Sequence, residues 1–273
     1  MPIRRVWATS EWRLDTKRIL VTGASSGLGF AMAKALLAVG GEVALASRSE
    51  RKLKEISAGL KGEGDRAHIL VMDVRNEDSV KSAVSWVKEN WGGLDMLVNN
   101  AGIGMVTVNP NFLTQPQPFL DVPPSKFKDV FDTNVFGYFL VASAFARLFL
   151  ERKRGRIINV SINKETMTRR GFVPYGPSRA ASEAMSYVMA EDLKSHNIAV
   201  NILLPGGATN TGMIPIAMPD EIRSRLLNPD VMARPITFLA SDEAEGLTGE
   251  SIIATDFDSW LSKFRASRPT DHP

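Results

Sequence analysis

Residues 18 to 41 limit the possible folds more than any other stretch of this chain. Arg18-Ile19-Leu20-Val21 is a short apolar run, and Thr22-Gly23-Ala24-Ser25-Ser26-Gly27-Leu28-Gly29 follows it directly. From Gly27 to Val39 apolar residues recur at helical spacing, and Gly40-Gly41 stop the pattern. A brief apolar run ending in a turn reads as a buried parallel strand. Glycines in the connecting turn let the backbone bend sharply and bring its N–H groups close to a pyrophosphate at the helix N-terminus. The spacing is G-x-x-x-G-x-G, not the commoner G-x-G-x-x-G, and glycine-rich strand–helix turns also arise for packing reasons. Its place as the first strand–helix turn points to a bound dinucleotide.

The same alternation continues along the chain. Strands are predicted at Glu42–Ser47, His68–Met72, Asp95–Asn99, Arg156–Ser161, Ile198–Leu204 and Ser251–Ala254. Helices are predicted at about Glu50–Leu60, Asp78–Asn90, Ser125–Glu151 and Tyr175–His196. Strands separated by helices of this length form βαβ units, so the fold class is α/β with a doubly wound parallel sheet. No linker, repeat or low-complexity block divides the chain. The expectation is a single Rossmann-type domain over 1–273, with 1–17 as an N-terminal extension and 255–273 as a C-terminal tail. Two proline- and glycine-rich segments, Ile103–Pro124 and Pro205–Asp220, leave the C-terminal ends of strands, where open α/β sheets bind ligands.

Composition removes several chemistries. The chain has no cysteine, so disulfides, thiolate nucleophiles and cysteine-ligated metals are excluded. Its three histidines, His68, His196 and His272, show no metal-ligand spacing, and no metal is expected. A net charge of +3, from 33 basic against 30 acidic residues, comes from no basic tract, so no nucleic acid partner is expected. Met1 to Lys17 lacks an apolar core of signal-peptide length. Gly137–Leu150 is interrupted by Arg147 and falls short of the roughly 18 residues of a membrane span. It reads as a buried helix, and a cytoplasmic protein with no membrane partner is the expectation.

Further motifs turn the glycine turn into a family resemblance. Asp73-Val74 ends the third strand, Asn99-Asn100-Ala101-Gly102 ends the fourth, Tyr175 stands four residues before Arg179, and Pro205-Gly206 follows the sixth. From about Thr16 to Ala254 the chain resembles the short-chain dehydrogenase/reductase family, in its typical subgroup. The resemblance implies an oxidoreductase that interconverts a ketone and a secondary alcohol with a nicotinamide cofactor. It places the cofactor against Gly23, Ser25, Ser26, Gly27, Leu28 and Gly29. Asp73 would contact the adenine amino group beside Val74, and Asn100, Ala101 and Gly102 would line the ribose side. Tyr175, Arg179, Pro205, Gly206, Ala208 and Thr209 complete the implied contacts. At the end of the second strand, NAD-preferring sites place an acidic residue that repels a 2′-phosphate. Ser47 stands there, followed by Arg48, whose guanidinium suits that phosphate, so the expected cofactor is NADP. The plainer reading makes Arg48 the start of a solvated helix carrying Arg51, Lys52 and Lys54.

In the family a tyrosine moves the proton, a lysine one helical turn later lowers its pKa and binds the ribose, a serine holds the substrate oxygen, and an asparagine anchors a relaying water. The resemblance makes Tyr175, Arg179 and Asn134 the catalytic residues. Arg179 supplies charge on the same helical face, but a guanidinium cannot shuttle protons. Gly155-Arg156-Ile157-Ile158-Asn159-Val160-Ser161 follows the family pattern, and then Ile162 takes the serine's place, thirteen residues before Tyr175. Alternation turns Ser161 away from Ile162 unless the chain distorts, with Asn163 on the side of Ser161. Ser161, Ile162 and Asn163 are the expected substrate contacts. The altered serine and lysine leave open a catalytically weakened or non-redox dinucleotide-binding protein. Lys164, Arg169 and Arg170 would suit an anionic substrate group, or are simply solvated. The expected partners are a small-molecule carbonyl or alcohol substrate and further copies of the chain, as a homodimer or homotetramer. The reason for the latter is the density of large apolar residues at Phe136, Tyr138, Phe139, Phe145, Leu148 and Phe149.

Overall fold

The computed structural model describes residues 11–60 and 64–268. The first half runs β1 (Arg18–Thr22), α1 (Gly27–Ala38), β2 (Glu42–Ser47), α2 (Glu50–Ser57), β3 (Ala67–Val71), α3 (Glu77–Trp91) and β4 (Met96–Asn99). The second runs α4 (Pro124–Phe131), α5 (Gly137–Arg152), β5 (Gly155–Val160), α6 (Lys164–Met167), α7 (Tyr175–Lys194) and β6 (Ile198–Leu204). It closes with α8 (Asp220–Arg223), α9 (Ala233–Ala240), β7 (Ser251–Ile253) and α10 (Phe257–Ser267). The seven strands form one parallel sheet in the order β3-β2-β1-β4-β5-β6-β7.

Because strand side chains alternate, the sheet divides its apolar residues between two cores. Ile19, Val21, Val43, Leu45, Met96, Val98, Ile158 and Val160 pack against α1, α2, α9 and α10. Leu20, Ala44, Ala46, Leu97 and Ile157 pack against α3, α5 and α7. The order reverses between β1 and β4, and the crevice opens above their C-terminal ends.

Three expectations are refined by the packing. The predicted helix Ser125–Glu151 is α4 and α5 joined through a π-helical turn at Asp132–Phe136, which buries Thr133 and Asn134. The combined run, Pro124–Arg152, is 29 residues long, with a mean hydropathy of 1.4 over its most apolar window. By length and composition alone it is sufficient to cross a membrane. Half of that window is buried within the fold, where Val141, Phe145, Leu148 and Phe149 complete the second core. The expected N-terminal extension lies outside the described residues up to residue 10, but beyond that Trp12 and Leu14 are buried in the first core. The expected C-terminal tail carries α10, whose Phe257 and Leu261 are buried; residues 269–273 lie outside the described residues.

The sequence reading also missed α9. Only eight residues long, with seven of them buried, it reads as a short apolar run, and Pro235 in its first turn resembles a loop signal. Phe238 of α9 meets Trp12 at 5.4 Å, Phe257 at 5.6 Å, and Trp260 and Phe264 at 5.5 Å each between ring centres. That aromatic cluster fastens the segment at Trp12 and helix α10 to α9.

Candidate active site

A cleft of about 550 Å³ opens at the C-terminal edge of the sheet and passes from α2 to the loops after β4 and β6. The glycine turn forms one end. Gly23 adopts φ +64°, and a Cβ there would come within 2.9 Å of the Ala101 Cα, so a side chain is excluded on both counts. The turn is braced by the end of β4. The Thr22 hydroxyl accepts from the Asn100 and Ala101 backbone N–H groups at 2.9 and 3.0 Å. The Asn100 side-chain amide donates to the Thr22 carbonyl at 2.9 Å. The Asn100 side chain therefore holds the turn in shape, while Asn100, Ala101 and Gly102 all border the cleft.

Arg48 and Lys52 border the same end, with Asp73, Val74 and Arg75 beside them. Arg51 pairs with Glu55, and Lys54 pairs with Glu50 at 2.7 Å, each across one helical turn. Among the described residues Arg48 and Lys52 have no such carboxylate partner. Of the four cations from Arg48 to Lys54, the two that line the cleft are thus the two without such a pair. The Asp73 carboxylate accepts from the Arg75 guanidinium at 3.0 and 3.2 Å. Those bonds hold its carboxyl below the usual range against a burial penalty that pushes the other way.

Tyr175 opens α7 and Arg179 lies one turn further along it, both at the cleft wall. The Arg179 guanidinium is 5.4 Å from the Tyr175 ring centre and 5.5 Å from that of Tyr138. One Nη donates to the Tyr138 hydroxyl at 2.8 Å and to the Val160 carbonyl at 3.2 Å. Burial alone would favour the neutral form of this residue, which is 3 % exposed, but the two phenol oxygens outweigh it and raise its pKa further. Burial also pushes the Tyr138 phenol up, against the pull of Arg179. The Arg179 Nε–H is buried and finds no acceptor among the described residues. Gly102 makes room for this cation, since a Cβ there would lie 2.2 Å from an Arg179 Nη atom.

Asn134 is fully buried and stands behind the cleft wall. Its Oδ1 accepts from the Ile103 N–H at 2.9 Å, and its Nδ2 donates to the Ile103 carbonyl and the Ser178 hydroxyl at 3.0 Å each. It ties the segment after β4 to α7. Strand alternation holds at the end of β5. Asn159 and Ser161 both reach α7, where Asn159 donates to Ser186 and the Ser161 hydroxyl to the Glu183 carboxylate, each at 2.8 Å. Ser161, Ile162 and Asn163 all border the cleft, and Asn163 donates to the Gly206 carbonyl at 3.0 Å.

Of the residues singled out from sequence, Ser25, Ser26, Gly27, Leu28, Pro205, Ala208 and Thr209 also line the cleft. Gly29, Gly206 and Asn134 stand behind its lining. Among the three cations before Tyr175, only Arg169 lines the cleft; Lys164 and Arg170 are exposed outside it. Met105, Phe112 and Phe172 form an unforeseen small apolar cluster that packs against Tyr175. Its members come from two loops some 60 residues apart, so no local period announces it.

The sheet order is that of a doubly wound Rossmann-type fold, and the braced glycine turn and the Tyr175–Arg179 pair share one cleft at its C-terminal edge. The family model for short chain dehydrogenases matches residues 17–221, and the chain belongs to that family. It is 34% identical to the gluconate 5-dehydrogenase of Gluconobacter oxydans over 193 residues, 71% of this chain and 72% of the relative. It is 32% identical to the 3-oxoacyl-(acyl-carrier-protein) reductase of Vibrio cholerae over 248 residues, 88% and 96% of the two chains. A gluconate 5-dehydrogenase from Burkholderia cenocepacia, solved in complex with NADP and tartrate, superposes with a TM-score of 0.78 at 27% identity, covering 90% of this chain and 97% of its own.

Proposed function

We propose that this protein is an NADP(H)-dependent oxidoreductase that interconverts a ketone and a secondary alcohol, with Tyr175 as proton donor and acceptor and Arg179 in place of the family's usual lysine. The observation that carries the reading is a single cleft joining the glycine turn, the unpaired Arg48 and Lys52, and the Tyr175–Arg179 pair. The residues present fit a dinucleotide. The braced turn has no room for side chains where a pyrophosphate approaches, and the orphaned Arg179 Nε–H is a buried donor suited to a ribose hydroxyl. Gly23, Ser25, Ser26, Gly27, Leu28 and Gly29 would hold the pyrophosphate, and Asp73 and Val74 the adenine. Asn100, Ala101 and Gly102 would lie along the ribose, and Pro205, Gly206, Ala208 and Thr209 would complete the site. Arg48 and Lys52 would pair a 2′-phosphate, as Ser47 offers no opposing charge. A bound nicotinamide would supply or accept the hydride.

The chain's own residues then manage the proton and the oxygen. In the reductive direction the Tyr175 hydroxyl gives its proton to the carbonyl oxygen as that oxygen gains negative charge. Arg179 stabilises the charge left on Tyr175, and it stays cationic throughout, so the proton returns by another route. Asn134 contributes by fixing Ile103 and Ser178 around that pair, as a positioning residue. With Ile162 replacing a hydroxyl, the substrate oxygen relies on Tyr175 alone among the family's usual donors, which favours a substrate held by its apolar body. The same replacement favours, as a second reading, a weakened or non-redox protein on the same cofactor. The reading includes a cytoplasmic location and a homodimer or homotetramer, the assembly being supported by the exposed Phe136 and Phe139 on the α4–α5 run and Tyr187 and Val188 on α7.

Titration with NADPH and NADH tests the cofactor assignment. NADPH should bind at least tenfold more tightly, and Arg48→Ala should remove most of that preference, the loss of a charge-assisted contact worth about 1.5–3 kcal/mol. Equal affinity for the two cofactors, or a preference that survives the substitution, overturns it.

A further inference from the structure

Beyond Tyr175 the cleft changes character. Its wall is built from Met105, Phe112 and Phe172, which are 2 %, 7 % and 7 % exposed, with Val106, Leu113 and Tyr175 packed on them. Phe112 meets Phe172 edge-on at 5.5 Å, and Phe172 lies 6.4 Å from the Tyr175 ring centre. Ile162 adds to the lining from the end of β5, and Met213 and Ile214 add to it from the loop after β6. Apart from Thr166, whose hydroxyl bonds to no described residue, the polar side chains in this part are largely engaged within the protein. The Ser161 hydroxyl is bonded to Glu183, the Asn163 amide to the Gly206 carbonyl, and the Thr107 hydroxyl to the Gly104 carbonyl.

One charge remains. The Arg169 guanidinium borders the cleft 5.1 Å above the Phe172 ring and has no carboxylate partner or side-chain hydrogen bond among the described residues. Stacking over a ring orients the guanidinium and leaves its N–H fork free to take a carboxylate in two parallel bonds.

We infer that the substrate is a ring-sized apolar ketone, or the matching secondary alcohol, that carries a carboxylate: its oxygen meets Tyr175, its body lies on Met105, Phe112, Phe172 and Ile162, and its acid is read by Arg169. This rests on the oxidoreductase reading of Tyr175 given above. A polyhydroxylated substrate is disfavoured at the same wall, because each hydroxyl buried there loses water without finding a partner.

A matched pair of ketones tests the inference: 4-(4-oxocyclohexyl)benzoate and 4-phenylcyclohexanone, which differ only by the carboxylate. With saturating NADPH, the ratio of kcat/KM for acid over neutral ketone should be about tenfold or more, carried mainly by KM, as a charge-assisted bond at a partly exposed site allows. Arg169→Gln should bring the ratio close to one, and Arg169→Glu should invert it. D-fructose, a polyhydroxy ketone, should be the poorest of the three. Equal kcat/KM for the acid and the neutral ketone, or a preference that Arg169→Gln leaves intact, overturns the inference. Calorimetric titration of the acid into the NADPH-loaded protein separates this from the oxidoreductase reading. Binding that depends on Arg169 without reduction supports the ligand class and contradicts the redox chemistry, whereas neither binding nor reduction overturns the ligand class itself.

Discussion

Arg179 and Gly102 are one structural unit, although 77 positions separate them in sequence. A guanidinium is bulkier than an ammonium, and this one is accommodated because the backbone facing it carries no Cβ. Gly102→Ala should therefore force the Arg179 side chain to move, at a cost of about 1–3 kcal/mol for overpacking a buried site. Denaturant unfolding and NADPH titration should both report the change, with NADPH affinity falling at least tenfold. Adding Arg179→Lys to the same chain should recover much of the loss, since a lysine end group is slimmer. An unchanged midpoint and affinity in Gly102→Ala would show that the cation does not need this space. The pairing of Tyr175 with Arg179 was legible from i, i+4 spacing. The bond from Arg179 to the Tyr138 hydroxyl was not, because it joins residues 41 apart that only the packing of α5 and α7 brings together.

At the scale of elements, the seven strands and the long helices were readable because each is either a short apolar run or a periodic segment. Of what escaped the sequence reading, α10 did carry the periodic mark, with Phe257, Trp260, Leu261 and Phe264 at helical spacing, whereas the π-helical turn and α9 announce themselves less clearly. The π-helical turn at Asp132–Phe136 is stabilised by Asn134 reaching Ile103 and Ser178, contacts with no local signature. Helix α9 is buried nearly all round, and α10 is recruited to it through aromatic contacts. These contacts converge on Phe238, which is fully buried among Trp12, Phe257, Trp260 and Phe264. Phe238→Ala should lower unfolding free energy by about 3–5 kcal/mol. Phe119→Ala, at a side chain that is 67% exposed, should stay within about 0.5 kcal/mol of the parent. Equal effects of the two substitutions in urea unfolding would mean that the aromatic cluster does not hold Trp12 and α10 in place.

For the whole molecule, the sheet order places the glycine turn, the Tyr175–Arg179 pair and both long loops on one edge, so the position of the cleft follows from topology alone. The number of copies in the assembly does not, because it depends on which apolar side chains the monomer fails to bury. Tyr138, Phe145, Leu148 and Phe149 are spent inside the fold, which leaves Phe136 and Phe139 with Tyr187 and Val188 exposed. Light scattering at micromolar concentration should give the mass of two or four copies of the 29.9 kDa chain, and Phe139→Glu should shift it toward one. A monomeric parent would remove the assembly from the proposed reading.

Chemistry at Tyr175 is the point on which the functional reading depends. The chain has no cysteine, no histidine among the described residues lines the cleft, and Asp73 and Lys52 lie at the Arg48 end with Asp73 bound to Arg75, which leaves the phenol as the proton-moving group beside Arg179. Single-turnover oxidation of NADPH by Tyr175→Phe, measured with 4-(4-oxocyclohexyl)benzoate alongside fluorescence titration of NADPH, tests this directly. The rate should fall by roughly 10²–10⁴, the usual contribution of a positioned general acid, while NADPH affinity stays within about threefold, since losing one hydroxyl leaves the pyrophosphate and adenosine contacts in place. A variant that binds NADPH and still oxidises it at the parental rate would contradict proton transfer by Tyr175.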